Sequence, residues 1–103
     1  MKTEETIDTG LTYDGLTPVR LRITKRDARY KITDEATAVA AAGVDTKKLA
    51  LPDHIPLGEY SVNVTRGGEV WLPAVNPDPE WLETISALVA KGSLALYDQL
   101  LEL

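Results

Sequence analysis

The one histidine of the chain, His54, stands beside Asp53 in a segment bounded by Pro52 and Pro56. An Asp–His pair invites a catalytic reading, with the imidazole as general base and the carboxylate as its orienter. The nucleophile would then be Ser61, Ser86 or Ser93, the last two on a predicted helix. Sequence neighbours rarely orient one another correctly, so His54 is expected to be an exposed loop residue. A small enzyme built on it is the weakest of the functional readings. No His-x3-His or His-Glu-x2-His spacing offers a metal site, and no Cys is present to bind zinc or serve as a thiolate. No cofactor or metal is therefore expected. Asp34 and Glu35 form a carboxylate pair that could do acid–base work, but their place at a helix start reads as capping. Gly67-Gly68 reads as a hairpin turn, since a phosphate loop needs a longer glycine run opening directly into a helix.

Two constellations suit binding better than catalysis. Arg20, Arg22, Lys25, Arg26, Arg29 and Lys31 are six of the eleven Lys+Arg, with Asp27 the only acid between positions 20 and 31. That window carries +5; with the chain at −5, the remainder carries −10. Arg20, Arg22, Arg29 and Lys31 share the outward parity of two adjacent strands, so they are expected on one solvent face. Like charges so close repel unless something negative faces them. One reading supplies Asp8, Glu4 or Glu5 from the first strand; the other makes the face a site for an acidic protein surface or for phosphates. With Tyr30 pointing inward there is no outward aromatic among them for base stacking, which favours a protein surface or a phosphate backbone over bases. The second constellation is Ala87, Ala90, Leu94, Tyr97 and Leu101, a second apolar stripe on the last helix. It is covered either by the chain's own Ala-rich helix or by a partner, most simply in a twofold dimer.

These residues are positioned by elements that the periodicity makes legible. Residues 6–13 alternate, with Ile7, Leu11 and Tyr13 on one side, and Asp14-Gly15 ends that strand. Val19, Leu21 and Ile23 alternate with Arg20, Arg22 and Thr24 in a second strand that begins after Pro18. Residues 29–33 return as a third, with Tyr30 and Ile32 inward. A helix is expected over 35–42, with Asp34 as its cap and Gly43 just past its end, followed by one turn capped by Asp45 or Thr46. Residues 52–58 read as an irregular loop. Tyr60, Val62 and Val64 form a fourth strand, and 70–75 a fifth, which Pro73 would place at a sheet edge. The final helix has Asp78 as N-cap, Pro79 at its first position and Glu80 in its first turn. Trp81, Leu82, Ile85, Leu88, Val89, Leu96 and Leu100 share its sheet-facing side, with Gly92 in the middle. The expected fold is α+β: a five-stranded, mainly antiparallel sheet in β-β-β-α-β-β-α order, with the long C-terminal helix packed on one face.

The totals bound the answer. At 103 residues the chain is expected to form one domain. Hydrophobic residues at 44% and charged ones at 26% suit a folded protein rather than a disordered one. The N-terminal Met1-Lys2-Thr3-Glu4-Glu5 has no apolar run after it, so no signal peptide is expected, and no stretch is apolar for the ~18 residues of a membrane span. A cytoplasmic location follows as an expectation.

Tyr30-Lys31-Ile32-Thr33-Asp34-Glu35 leading into a short helix that ends Gly43-Val44-Asp45 resembles a small bacterial family known as a domain of unknown function, number 1828. The Tyr60-Ser61-Val62 strand, the Gly68-Glu69-Val70 turn and the final helix follow in the same order as that family's second half. The family has Gly after its Thr-Asp-acid motif, where this chain has Ala36. The resemblance implies a fold and a bacterial or mobile-element setting, and no chemistry. The expected function is a non-enzymatic interaction module that binds a protein partner, with self-association through the helix stripe left open and a nucleic-acid-associated factor as the alternative.

Overall fold

A computed structural model describes residues 2–102. The chain is α+β, with six strands rather than five: β1 (Lys2–Thr12), β2 (Pro18–Arg26), β3 (Arg29–Thr33), β4 (His54–Leu57), β5 (Tyr60–Val64) and β6 (Val70–Val75). A short helix, α1 (Thr37–Ala42), follows β3, and a long one, α2 (Pro79–Leu101), follows β6. The strands form one sheet in the order β1-β2-β3-β6-β5-β4, with every neighbour antiparallel. The order reads the same from either edge: two three-stranded meanders, each followed by a helix, meet through β3 and β6.

Burial separates the two faces of the sheet. Val19, Leu21 and Ile23 of β2, Ile32 of β3, Val62 and Val64 of β5, and Val70 and Ala74 of β6 are buried against the helices. Ile85, Leu88, Val89, Leu96 and Leu100 of α2 meet them, each such aliphatic group contributing about 1.5–3 kcal/mol when fully buried. Trp81 departs from this pattern, remaining 41% exposed at the first turn. The cap of α2 forms as its sequence indicates: Asp78 Oδ1 accepts the Trp81 N–H at 2.7 Å, with Pro79 at the first position. Gly92 sits where α2 crosses β5 and β6. A Cβ there would stand 3.1 Å from Val70 Cγ1 and inside contact distance of Val62 Cγ2.

Four local expectations are corrected. The segment 52–58 contains β4, in which Ile55 pairs with Val62 and Pro56 with Ser61; an edge strand tolerates proline because one side of it needs no donor. Strand β6 lies inside the sheet, not at its edge. Strand β5 pairs with it only at Asn63–Trp71 and Val64–Val70, so the half that carries Pro73 has β3 as its one partner. On β1 the register with β2 slips between Asp8 and Thr12, where Gly10 has φ +75°, and this bulge turns Leu11 outward. Helix α1 begins at Thr37, not Glu35. Glu35 and Ala36 both take positive φ, 55° and 62°, a double bend that swings Asp34 inward instead of leaving it at a helix start.

Ala36 thus occupies a left-handed conformation, at the position where the resembled family has glycine. An L-residue there costs roughly 1–2 kcal/mol, so Ala36→Gly is expected to raise stability by about 1 kcal/mol in urea denaturation; an unchanged or lower midpoint would contradict the conformation. Gly92→Ala is expected to do the opposite. It gains about 1 kcal/mol of helix propensity, yet it must part α2 from two stiff β-branched side chains, for a net loss of about 1–3 kcal/mol. A rise in midpoint would show that the helix does not approach the sheet so closely.

Candidate functional site

The two places with chemistry are a buried polar cluster beneath α2 and the open face of the sheet. The cluster is built on Asp34, which is fully buried. Its Oδ1 accepts the Val70 N–H at 2.8 Å and the Ala36 N–H at 2.9 Å. Ser93 Oγ donates to Oδ2 at 2.6 Å, and the Asp34 backbone N–H donates to Val70 O at 3.0 Å. Tyr13 OH lies 2.6 Å from Ser93 Oγ and 2.7 Å from Thr37 Oγ1, whose own proton goes to Asp34 O at 2.8 Å. Tyr13 also leans on Tyr97, with ring centroids 5.3 Å apart. Residues distant in sequence, from β1–β2, β3–α1, β6 and α2, are thereby tied at one point.

Counting protons shows how the cluster sits. Four short contacts join Asp34 Oδ2, Ser93, Tyr13, Thr37 and Asp34 O, while three hydroxyls supply three protons. With Ser93 donating to Oδ2 and Thr37 to the Asp34 carbonyl, the Tyr13 hydroxyl turns its proton to Ser93 or to Thr37, and one of its two contacts carries none. Burial raises the Asp34 carboxyl above its ordinary range, against the opposing pull of the Ser93, Val70 and Ala36 hydrogen bonds. The Tyr13 hydroxyl is likewise raised by burial, partly offset by its bonds to Ser93 and Thr37. Asp34, Ser93 and Tyr13 are all buried, and Thr37 is half-buried beside them. The sequence does not show Ser93 as the partner of Asp34, nor Tyr13 behind Ser93; a buried Ser and Tyr joined to an Asp have no signature spacing. His54 does not join them. Its Nδ1 meets Asp53 Oδ1 at 2.8 Å on the surface, with side chains 62% and 93% exposed, and no serine completes a triad. Among the described residues no three His, Asp or Glu side chains gather to hold a metal ion, and no helix is long and apolar enough to cross a membrane.

The open face is the side of the sheet opposite the helices. Arg20, Arg22, Arg29 and Lys31 stand on it together, with Arg26, as the register dictates: Arg22 opposite Thr33, Lys31 opposite Thr24, and Arg26 directly opposite Arg29. Two of these cations are held. Arg22 lies 3.1 Å from Glu4 Oε2 through Nη1, and its Nε lies 3.0 Å from Glu35 Oε1, close as charges but not aligned as a hydrogen bond. Lys31 Nζ lies 3.2 Å from Glu69 Oε2, which also accepts the Thr33 hydroxyl at 2.6 Å. Arg20, Arg26 and Arg29 make no ion pair among the described residues. Asp8, opposite Arg20 in register, turns its Oδ1 to the Gly10 N–H of the bulge instead. Around the hairpin tip, Thr24, Arg26, Asp27, Arg29 and Lys31 line a shallow hollow of about 510 Å³. Trp71 belongs to this face as well, half-buried, with Lys31 Nζ 5.3 Å from its ring centre. The expectation that the face lacks an outward aromatic is thus corrected. Strand β6 lies inside the sheet beside β3, which puts Trp71 opposite Thr33.

The second stripe of the last helix is divided by the fold. Ala90 and Tyr97 are buried within the domain, Leu94 is half-buried against the core, and Ala87 and Leu101 point outward, Leu101 at 57% exposure. Helix α1 and Tyr13 cover its middle, so the five residues do not make one free surface.

No family model, curated protein or solved structure matches the chain.

Because the Asp34 carboxyl is raised, its contribution to stability is full below the ordinary carboxylate range and is lost as pH climbs through its folded-state value. Asp34→Asn keeps the acceptor for Val70 and Ala36 and cannot ionise. In urea denaturation between about pH 4 and 8, its deficit against the native chain is therefore expected to shrink as pH rises. A deficit that widens with pH would mean that Asp34 is stabilised as the anion.

Proposed function

We propose that this chain is a non-catalytic interaction module whose open sheet face binds an acidic surface of another protein. The observation that carries the reading is the Arg26–Arg29 pair. Two guanidinium groups stand directly across a hairpin register with no carboxylate of the described residues on either, while neighbouring Arg22 and Lys31 are both tied to glutamates. Opposed like charges destabilise a hairpin, and a negative group arriving from outside removes that repulsion. Arg20 extends the same unpaired cationic line along β2. Arginine suits the task because its planar fork meets a carboxylate through two hydrogen bonds at once. The acids elsewhere on the chain keep the cationic region local, which steers an acidic partner to this face and away from the rest.

A second reading is favoured by one specific feature. Trp71 on the same face, beside Lys31, is the kind of aromatic on which an unpaired base stacks, with the arginines contacting phosphates.

The two readings separate in one set of titrations. The chain is titrated into a fluorescein-labelled Glu/Asp-rich dodecapeptide and into a labelled single-stranded oligonucleotide, at low and at physiological salt. The expected result is peptide binding that weakens about tenfold or more in Arg26→Glu/Arg29→Glu and is indifferent to Trp71→Ala. Binding of the oligonucleotide alone, lost in Trp71→Ala, would put the nucleic-acid reading in its place. Peptide binding unmoved by the double reversal would end the proposal.

A further inference from the structure

On the helix-covered side of the sheet, away from the arginines, two large aromatic side chains are left in the open against each other. Tyr60 opens β5 just after the Gly58–Glu59 turn, and Trp81 lies one turn into α2. They are 46% and 41% exposed, with ring centroids 6.2 Å apart and planes tilted by 54°. Tyr60 forms one wall of a groove of about 610 Å³ that runs beside α2, floored by Leu57 and Leu88. Glu80 and Glu83 stand on its rim near the aromatic pair, and Lys91 lies two turns further along the helix.

The chemistry of this groove is selective. Exposed aromatic faces offer apolar area together with negative electrostatic potential, which suits a flat or diffuse cation. Glu80 and Glu83, one turn apart on the helix, make no ion pair among the described residues; like charges at that spacing repel until a cation comes between them. An anion would meet both carboxylates and the ring faces, and is excluded. A bare metal ion is poorly served, because no third carboxylate or imidazole is gathered there among the described residues. Lys91 restricts a cation to the Glu80 end. A guanidinium answers all of these conditions, since it stacks on a ring through its plane and forks onto carboxylates through its edge.

We propose that the groove beside Tyr60, with Trp81 next to its mouth as the neighbour of that ring, is a docking site for an arginine side chain presented by a partner protein, stacked on Tyr60 and hydrogen-bonded to Glu80 and Glu83. It lies on the opposite side of the sheet from Arg26 and Arg29, so the two surfaces are engaged independently and the module is bivalent. The partner's charge complements the groove, just as an acidic surface complements the open face.

The test uses the full chain carrying Trp71→Phe, so that Trp81 is the one tryptophan reporting. The probe is acetyl-Gly-Arg-Gly-Arg-Gly-amide, with the citrulline peptide as its neutral isostere. Saturable change in Trp81 emission is expected with the arginine peptide and none with the citrulline one. Tyr60→Ala and Glu80→Gln/Glu83→Gln are each expected to weaken binding at least about tenfold, while Asp98→Asn, an exposed acid at the far end of α2, leaves it unchanged. Equal weakening in Asp98→Asn would mean attraction to the chain's overall negative charge and would overturn the proposal, as would absence of a saturable signal. Light scattering covers the remaining occupant. A two-chain mass that Glu80→Lys/Glu83→Lys returns to one chain would assign the groove to the arginine hairpin of a second copy, and overturn it too.

Discussion

Everything in this fold hangs on how Asp34 is held. One residue past the end of β3, it joins the two halves of the molecule three times over: its backbone N–H bonds Val70 O, its Oδ1 takes the Val70 N–H, and its Oδ2 meets Ser93. Strands β3 and β6 are where the two meanders pair in the sheet, and Asp34 extends that pairing beyond the point where β3 ends. A buried carboxyl is expensive to place unless every lone pair is answered. Here two backbone donors and a ring of hydroxyls answer it. The two left-handed residues that follow, Glu35 and Ala36, are the local strain that aims the side chain inward.

That junction determines what is left for other molecules. With both helices drawn to one side, α2 by Gly92 against Val62 and Val70 and α1 by its contacts with α2, the other side of a six-stranded sheet is uncovered. Its charges are sorted by register rather than by proximity in sequence. Glu4 and Glu35 fall on Arg22, and Glu69 falls on Lys31, while Arg20, Arg26 and Arg29 receive no carboxylate among the described residues. On the helix side, too, the cover is incomplete, and Tyr60 and Trp81 are left exposed. Both surfaces thus arise as what one layer of helix fails to cover.

Much of this was legible residue by residue. The alternation of Val19, Leu21 and Ile23 with arginines could only be a strand with a wet side, and the Asp78-Pro79-Glu80 start could only open a helix, since both signals are local. Strand β4 escaped notice because two prolines in seven residues argue for a loop, and only its pairing with β5 makes His54–Leu57 extended. Pro73 argued for an edge because a single sequence cannot show that β5 departs from β6 after two pairs. Asp34 read as a cap because it precedes a helix; its true partners, Val70 and Ser93, lie 36 and 59 residues away.

The sequence by itself therefore determined five of the six strands, the long final helix and the apolar side of most of each, because those depend on periodicity and on caps within a few residues. It also determined that six cations would crowd into one hairpin. Only the tertiary structure decided that the sheet has six strands in mirror order, that Asp34 is interior, and which arginines are left unpaired. Strand order, burial of a polar group and neutralisation of a charge each depend on residues brought together from far along the chain, and no local pattern carries that information.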